Sequence, residues 1–243
     1  MIRILSPLLA DGPQQMALDE ALLEAATVTT LRLYRWDPPT VSLGYFQDYH
    51  SIAAALPEPI ALVRRITGGG AIWHDHELTY AIVGQLGRDG LPARTRDCYA
   101  PLHAAVAAAV ISAGGQAERQ SHTVGDRRYR DEPRCFASPA AEDLIAPRGG
   151  KILGSAARTR GDRILIHGSL KLASNPWDQD VVAPCGLEAD AAAAALKAGL
   201  LEALGQSAEA GTCTETELAA AARIQAERYS NDDWVVHRRG PRA

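Results

Sequence analysis

Three consecutive glycines interrupt a strand-forming stretch, in Arg64-Arg65-Ile66-Thr67-Gly68-Gly69-Gly70-Ala71-Ile72-Trp73-His74-Asp75. Glycine weakens a strand because it loses the most backbone freedom and brings no side chain to pack. A run of three is tolerable where a ligand or a neighbouring backbone must come within van der Waals distance. The two arginines before it have the fork geometry to hold a carboxylate or phosphate with paired hydrogen bonds. The same residues also suit a glycine-rich hairpin turn carrying surface arginines.

Around this block, periodicity predicts strands at 31–36, 40–45, 60–66, 71–74 and 77–84. A helix is predicted over 16–26 from its apolar spacing and strong helix formers. A second helix over 99–113 stops at Gly114-Gly115. Residues 116–134 are polar, rich in arginine and without a period, which predicts a loop. Strands at 150–157 and 163–172 join through Gly161-Asp162, and alanine-rich helices follow at 189–204 and 214–228. Strands in hairpin-like succession with helices alongside predict an α+β fold, a mixed and largely antiparallel sheet sandwich, rather than a βαβ series. No G-x-G-x-x-G follows a first strand and no G-x-x-x-x-G-K-[ST] loop is present, so dinucleotide and P-loop readings rank low.

At 243 residues, with neither repeat nor linker, the expectation is one domain spanning 1–243. A formal net charge of −4 offers no general attraction to nucleic acid or an anionic membrane. No apolar run approaches the roughly 20 residues needed to span a bilayer, and Met1 to Ala10 is short and lightly charged for a signal peptide. Cys98, Cys135, Cys185 and Cys213 are scattered, with no C-x-x-C pair. That pattern argues against a zinc site or a disulfide framework and fits a reducing, cytoplasmic setting. Arg119, Arg127, Arg128, Arg130 and Arg134 fall in one stretch, which suits either an acidic partner or a solvated loop.

Three further positions carry possible chemistry. Lys151, in Gly149-Gly150-Lys151-Ile152-Leu153-Gly154-Ser155-Ala156, is flanked by apolar residues and glycines. A partly desolvated ammonium there would partner a carbonyl or thiolate; otherwise it is a snorkelling edge-strand lysine. Cys135 closes the arginine-rich stretch between Pro133 and Pro139, where nearby cations would favour a thiolate, unless it is buried and inert. His167, before Gly168-Ser169, suits a proton carrier or a satisfied core histidine.

Taken in order, these segments resemble the family of lipoate-protein ligases and octanoyltransferases. The matching blocks are Met16-Ala17-Leu18-Asp19-Glu20-Ala21-Leu22-Leu23, Pro39-Thr40-Val41-Ser42-Leu43-Gly44-Tyr45-Phe46-Gln47, and Arg64-Arg65-Ile66-Thr67-Gly68-Gly69-Gly70-Ala71 with His74-Asp75. Gly150-Lys151-Ile152 with Gly154-Ser155-Ala156, and His167-Gly168-Ser169-Leu170, complete the set. The resemblance implies a fold like the catalytic domain of biotin ligases and class II aminoacyl-tRNA synthetases.

Within the family, ligases activate a free acid with ATP and magnesium. Octanoyltransferases need neither, and move octanoate from acyl carrier protein through an enzyme cysteine to a carrier lysine. Three features are similar to the ligase-like octanoyltransferases. They are His74-Asp75 followed by Glu77-Leu78-Thr79-Tyr80, Cys135-Phe136 with Pro139 ahead of Asp143-Leu144, and a chain that stops without the accessory C-terminal ligase domain.

The resemblance implies Cys135 as nucleophile and Lys151 in the acyl pocket, stabilising charge or shuttling a proton. Ala183-Pro184-Cys185-Gly186 is similar to the nucleophile motif of the other octanoyltransferase class, which keeps Cys185 as the alternative. Arg64, Arg65, Thr67, Gly68, Gly69, Gly70, His74, Gly154, Ser155, Ala156, His167 and Gly168 are the implied substrate-binding positions. Implied partners are acyl carrier protein as donor and a lipoyl domain or glycine-cleavage H-type protein as acceptor, with no cofactor for the transferase; the cysteine spacing gives no metal site, and nothing in the sequence demands more than a monomer. An ATP-dependent ligase, an amidotransferase between carrier domains and a non-catalytic acyl-binding module are the other readings.

Overall fold

The structure, a computed structural model, describes residues 1–125 and 128–240. In chain order the elements are β1 (Ile2–Ala10), α1 (Gly12–Ala25), β2 (Thr30–Trp36), β3 (Thr40–Leu43), α2 (Tyr49–Ala55), β4 (Ala61–Arg64), β5 (Ile72–His74) and β6 (Glu77–Gln85). The second half holds α3 (Tyr99–Ser112), β7 (Glu118–Arg119), β8 (Leu144–Ile145), β9 (Lys151–Arg160), β10 (Arg163–Lys171), α4 (Ala189–Leu204), β11 (Ala208–Gly211), α5 (Glu215–Ile224) and α6 (Asp232–Val235).

An eight-stranded sheet runs β11-β1-β2-β6-β10-β9-β8-β7, and a three-stranded sheet runs β4-β3-β5. Pairing is parallel between β11 and β1, β1 and β2, and β3 and β4, and antiparallel elsewhere. The sheet is therefore mixed and largely antiparallel, as the pattern predicts.

Every residue of β6 except the last is buried, which a strand covered on both faces requires. One face packs on α3 and α4 through residues such as Leu102, Val106, Leu196 and Leu200. The other packs on α1, α5 and α6, with Leu22, Ile224 and Trp234 in the cluster. α1 is buried at every position from Gln15 to Leu23, so it is a core helix and not an amphipathic surface one. Asp11 caps it by accepting from Gln14 N, and Pro13 sits in its first turn, where a missing N–H costs nothing.

Several expected boundaries shift. β3 stops at Leu43 because Gly44 turns the chain, its carbonyl accepting from Gln47 N. The strand expected over 60–66 ends at Arg64, and the helix expected over 214–228 gives way after Ile224 to a π turn at Gln225–Tyr229. The segment expected as loop contributes Glu118–Arg119 to the sheet. No helix of the described residues is long and apolar enough to cross a membrane.

Candidate active site

A cavity of about 340 Å³ opens where β9, β10 and the glycine block meet. The segment carrying Cys135 crosses that block as backbone on backbone. Ala71 N donates to Pro133 O at 2.8 Å and Cys135 N donates to Ala71 O at 2.9 Å. A Cβ at Gly70 would lie 2.7 Å from both Cys135 N and Pro133 O, so this glycine is what lets the cysteine approach. Gly68 and Gly69 line the cavity itself. Gly69 has φ +99, a conformation glycine adopts without strain.

Lys151 opens β9 with its side chain buried. Its Nζ lies 2.8 Å from Asp143 Oδ2 and donates toward Cys135 O at 3.3 Å and Cys135 Sγ at 3.6 Å. Gly154 provides the room, because a Cβ there would collide with the terminal carbon and nitrogen of Lys151. Asp143 is oriented by Ala140 N, which donates to Oδ2 at 2.7 Å. Burial pushes the lysine pKa down, yet Cys135 and Asp143 outweigh it and hold the ammonium above the ordinary lysine range. Lys151 is thus a fixed positive charge at neutral pH, a partner for charge on sulfur or on a carbonyl oxygen rather than a base.

Residues 11–196 match the family model described as the lipoyl protein ligase A/B catalytic domain. The chain belongs to this family. It is similar to Octanoyltransferase LipM of Moorella thermoacetica, at 34% identity over 93% of this chain and 87% of that protein. Octanoyltransferase LipM of Kyrpidia tusciae is 30% identical over 90% of this chain and 92% of its own. Among solved structures, lipoate-protein ligase A bound with ATP superposes with a TM-score of 0.79 at 24% identity, covering 96% of this chain and 98% of that one. A T. acidophilum protein with bound lipoic acid gives 0.78 at 23% identity, over 97% and 98%. These structural likenesses establish that the fold is the lipoate-ligase fold.

The other predicted site residues of this family member separate into those at the cavity and those behind it. His74 is buried and stacked on Trp36 at 3.8 Å between ring centroids. Its Nδ1 donates to Glu77 Oε1 at 2.6 Å and its Nε2 pairs with Ser42 Oγ at 2.7 Å. Burial pushes its pKa down, which keeps the ring neutral. His167 donates from Nδ1 to Asp19 Oδ2 at 3.0 Å and meets Thr67 Oγ1 at 2.7 Å through Nε2. Ser155 Oγ takes a hydrogen bond from Tyr80 OH at 2.6 Å and donates to His103 Nε2 at 2.7 Å. That direction follows because His103 Nδ1 must donate to Glu142 O and burial lowers the His103 pKa. Gly154, Ala156 and Gly168 line the wall, while Thr67 and Gly70 stand behind it.

Arg65 reaches the cavity, but its N–H groups are engaged by Ser42 O and Oγ, Thr67 Oγ1, Gly68 O and Gly70 O. These bonds mould the glycine loop around its guanidinium. Arg64 does not face the cavity at all. Its Nε donates to Val235 O at 2.9 Å, and its Nη1 donates to the carbonyls of Gly44, Tyr45 and Gln47. Burial and the charge of Arg238 push its pKa down to about 10.

Cys185 is likewise outside the cavity. It is fully buried in the core beside α3 and α4, its N donates to Lys171 O at 2.9 Å, and burial pushes its thiol pKa up. In the arginine-rich stretch, Arg119 pairs with Glu142 and Arg134 with Glu132 and Asp180, while Arg127 lies outside the described residues. Asp143 and Tyr129 line the cavity and are not among the predicted site residues. Asp143 follows Cys135 by eight positions in aperiodic sequence, so nothing local marks it as the partner of Lys151.

Proposed function

We propose that this enzyme moves an octanoyl group from acyl carrier protein to a lysine of a lipoyl-carrier protein, through a thioester on Cys135. The observation that carries the reading is the Cys135 thiol 3.6 Å from the buried Lys151 ammonium, inside a cavity. The relatives named octanoyltransferases, similar over most of the chain, support the acyl group.

In the first half-reaction the Cys135 sulfur attacks the thioester carbonyl of the donor. A new S–C bond forms, the donor's S–C bond breaks, and the donor thiol leaves with the proton that Cys135 gave up. In the second, the acceptor amine attacks the Cys135 thioester. The N–C bond forms, the S–C bond breaks, and the sulfur recovers a proton from the nitrogen. Both steps pass through a tetrahedral oxyanion, and a fixed ammonium beside the sulfur lowers the energy of that charge. The thioester keeps the acyl group activated for an amine, so no nucleotide is needed.

Intact mass spectrometry after mixing with octanoyl-acyl carrier protein, without ATP, tests this. The expected result is a hydroxylamine-labile octanoyl adduct whose labelled peptide contains Cys135, discharged by an apo lipoyl domain. An adduct on Cys185, or transfer that occurs only with ATP and free octanoate, would overturn it. A donor requirement for an acylated lipoyl domain instead of acyl carrier protein would identify an amidotransferase acting through the same cysteine.

A further inference from the structure

Between Gly154 and Arg160, β9 forms one edge of the large sheet. Its outer neighbour, β8, pairs with Leu153 and Lys151 and, among the described residues, reaches no further. The hairpin turn fixes which backbone groups face out. Asp162 O accepts from Leu86 N, so Asp162 faces β6 and its neighbour Arg163 faces β9. Gly161 and Asp162 form a two-residue turn between paired Arg160 and Arg163, which makes that pair the one hydrogen-bonded across the hairpin.

Alternation back from that pair turns Gly154, Ala156 and Arg158 toward β10 and Ser155, Ala157 and Thr159 outward. The β9–β10 register has no bulge to break the alternation. Among the described residues, the outward N–H and C=O groups of Ser155, Ala157 and Thr159 meet no hydrogen-bond partner. Edges of this kind are templates for another strand.

This edge is continuous with the candidate site. Ser155 and Ala157 line the cavity, and the Lys151 ammonium lies against Gly154, one residue before the open edge begins. The sheet's outermost strand at the far side, β11, is separated from β9 by β1, β2, β6 and β10 and adjoins no part of that cavity.

We propose that an extended segment of the acyl-acceptor protein pairs with residues 155–159 as an added strand, bringing its lysine to Cys135. The inference rests on the transferase reading above. It selects the acceptor rather than the donor on grounds of reach. A donor carries its acyl group on a long prosthetic arm and can deliver it while its backbone stays distant. An acceptor lysine has only a four-carbon stem, so the chain bearing it must run alongside the site. Strand addition supplies that placement from main-chain hydrogen bonds.

Amide hydrogen exchange, resolved by residue with NMR, tests the proposal on the full chain. In the free enzyme the amides of Ser155, Ala157 and Thr159 exchange fast, while those of Ala156 and Arg158 are slow. A saturating apo lipoyl domain is expected to slow the three fast amides by at least about tenfold, as a formed strand pairing does; octanoyl-acyl carrier protein alone leaves them unchanged. Unchanged exchange with the acceptor, or slowing by the donor instead, overturns the proposal. Because this readout needs no chemistry, it stands apart from failure to form the Cys135 adduct.

Thr159→Pro gives a second measurement, since the donor it deletes faces outward and proline's fixed φ is one that edge strands accept. Discharge of preloaded enzyme to the lipoyl domain should fall by about five- to tenfold, the worth of one hydrogen bond, with loading by the donor unchanged. Slow exchange at Ala156 and Arg158 verifies that the variant keeps its hairpin. Normal discharge from a variant so verified overturns the proposal.

Discussion

Two lysines, Lys151 and Lys171, flank the ring of Phe136, with their ammonium groups 5.1 and 5.0 Å from its centroid. Both are buried, at 2% and 0% exposure, yet their surroundings differ in one respect. Lys171 is enclosed by acceptors that never leave: Glu77 Oε2 at 2.9 Å, Trp73 O at 2.6 Å and Asp178 Oδ2 at 3.6 Å. Lys151 has one carboxylate, Asp143, and turns its remaining face to a thiol in an open cavity. Burial alone therefore does not mark a reactive cation. What sets Lys151 apart is a single carboxylate partner beside a thiol, which on the proposed reading is the nucleophile.

The sharpest way to break this contrast is to remove the thiol. Cys135→Ala should abolish the hydroxylamine-labile adduct entirely, read by intact mass, while thermal unfolding stays near that of the parent. Persistent acylation in that variant would show that the Lys151 cluster is as structural as the Lys171 cluster.

Exchanging each lysine for methionine separates the two roles. Lys151→Met should slow loading of Cys135 by about two to three orders of magnitude, the usual consequence of losing one preorganised electrostatic partner. Lys171→Met should leave Glu77 buried without its counter-charge, at a cost of about 3–5 kcal/mol in stability measured by denaturant unfolding.

The pH dependence follows from the same residues. Burial pushes the Glu77 carboxyl up, but Lys171 and His74 outweigh it and hold it well below the usual carboxylate range. A depressed carboxylate stabilises the fold above its unfolded pKa, and that stability drains away as pH falls below about 4 to 5. His74 and His103, both lowered by burial, add a loss in the same direction below about pH 6.5, because the unfolded imidazoles bind protons first. In Lys171→Met the decline between about pH 5 and 3 should flatten. An unchanged slope would mean that Lys171 is not what holds Glu77 ionised.

The two clusters also differ in how far sequence discloses them. Cys135 and Lys151 stand out locally among prolines, glycines and apolar neighbours. That setting suits an inert thiol and an edge-strand lysine as well, and only the fold shows that the two side chains meet. The β9–β10 hairpin follows from alternation around Gly161-Asp162. Arg64 and Arg65 are indistinguishable as a motif. They part company only because adjacent strand residues point to opposite faces, which sends Arg65 to the cavity and Arg64 to Val235 O. Cys185 has a suggestive Pro-Cys-Gly setting, but its burial is decided by the backbone of Lys171, distant in sequence. β11 is the extreme case. Ala208–Gly211 has no strand-forming side chains, and it is a strand only because β1 offers it a parallel edge.

A finer perturbation keeps every charge and moves one. Gly154→Ala places a methyl group where the end of Lys151 lies. The obstructed atoms belong to the tip of a flexible side chain, so the unfolding midpoint should change little. Loading of Cys135 should nevertheless slow by about tenfold, the scale expected when a positioned group is displaced by an ångström or so. Loading at the parental rate would show that the ammonium need not sit at that spot.

The smallest expected effect belongs to Cys185→Ala. Its sulfur packs among core residues, so the substitution trades a small apolar group for a void and should cost about 1 kcal/mol. Burial keeps that thiol protonated, and a protonated thiol is a poor nucleophile. Loading and discharge should therefore both continue at the parental rate, compared at a temperature where each protein is fully folded. A variant that folds normally but no longer accepts octanoate would move the nucleophile to Cys185. The thiol beside Lys151 would then be a packing neighbour alone, and the contrast between the two lysines would lose its chemical meaning.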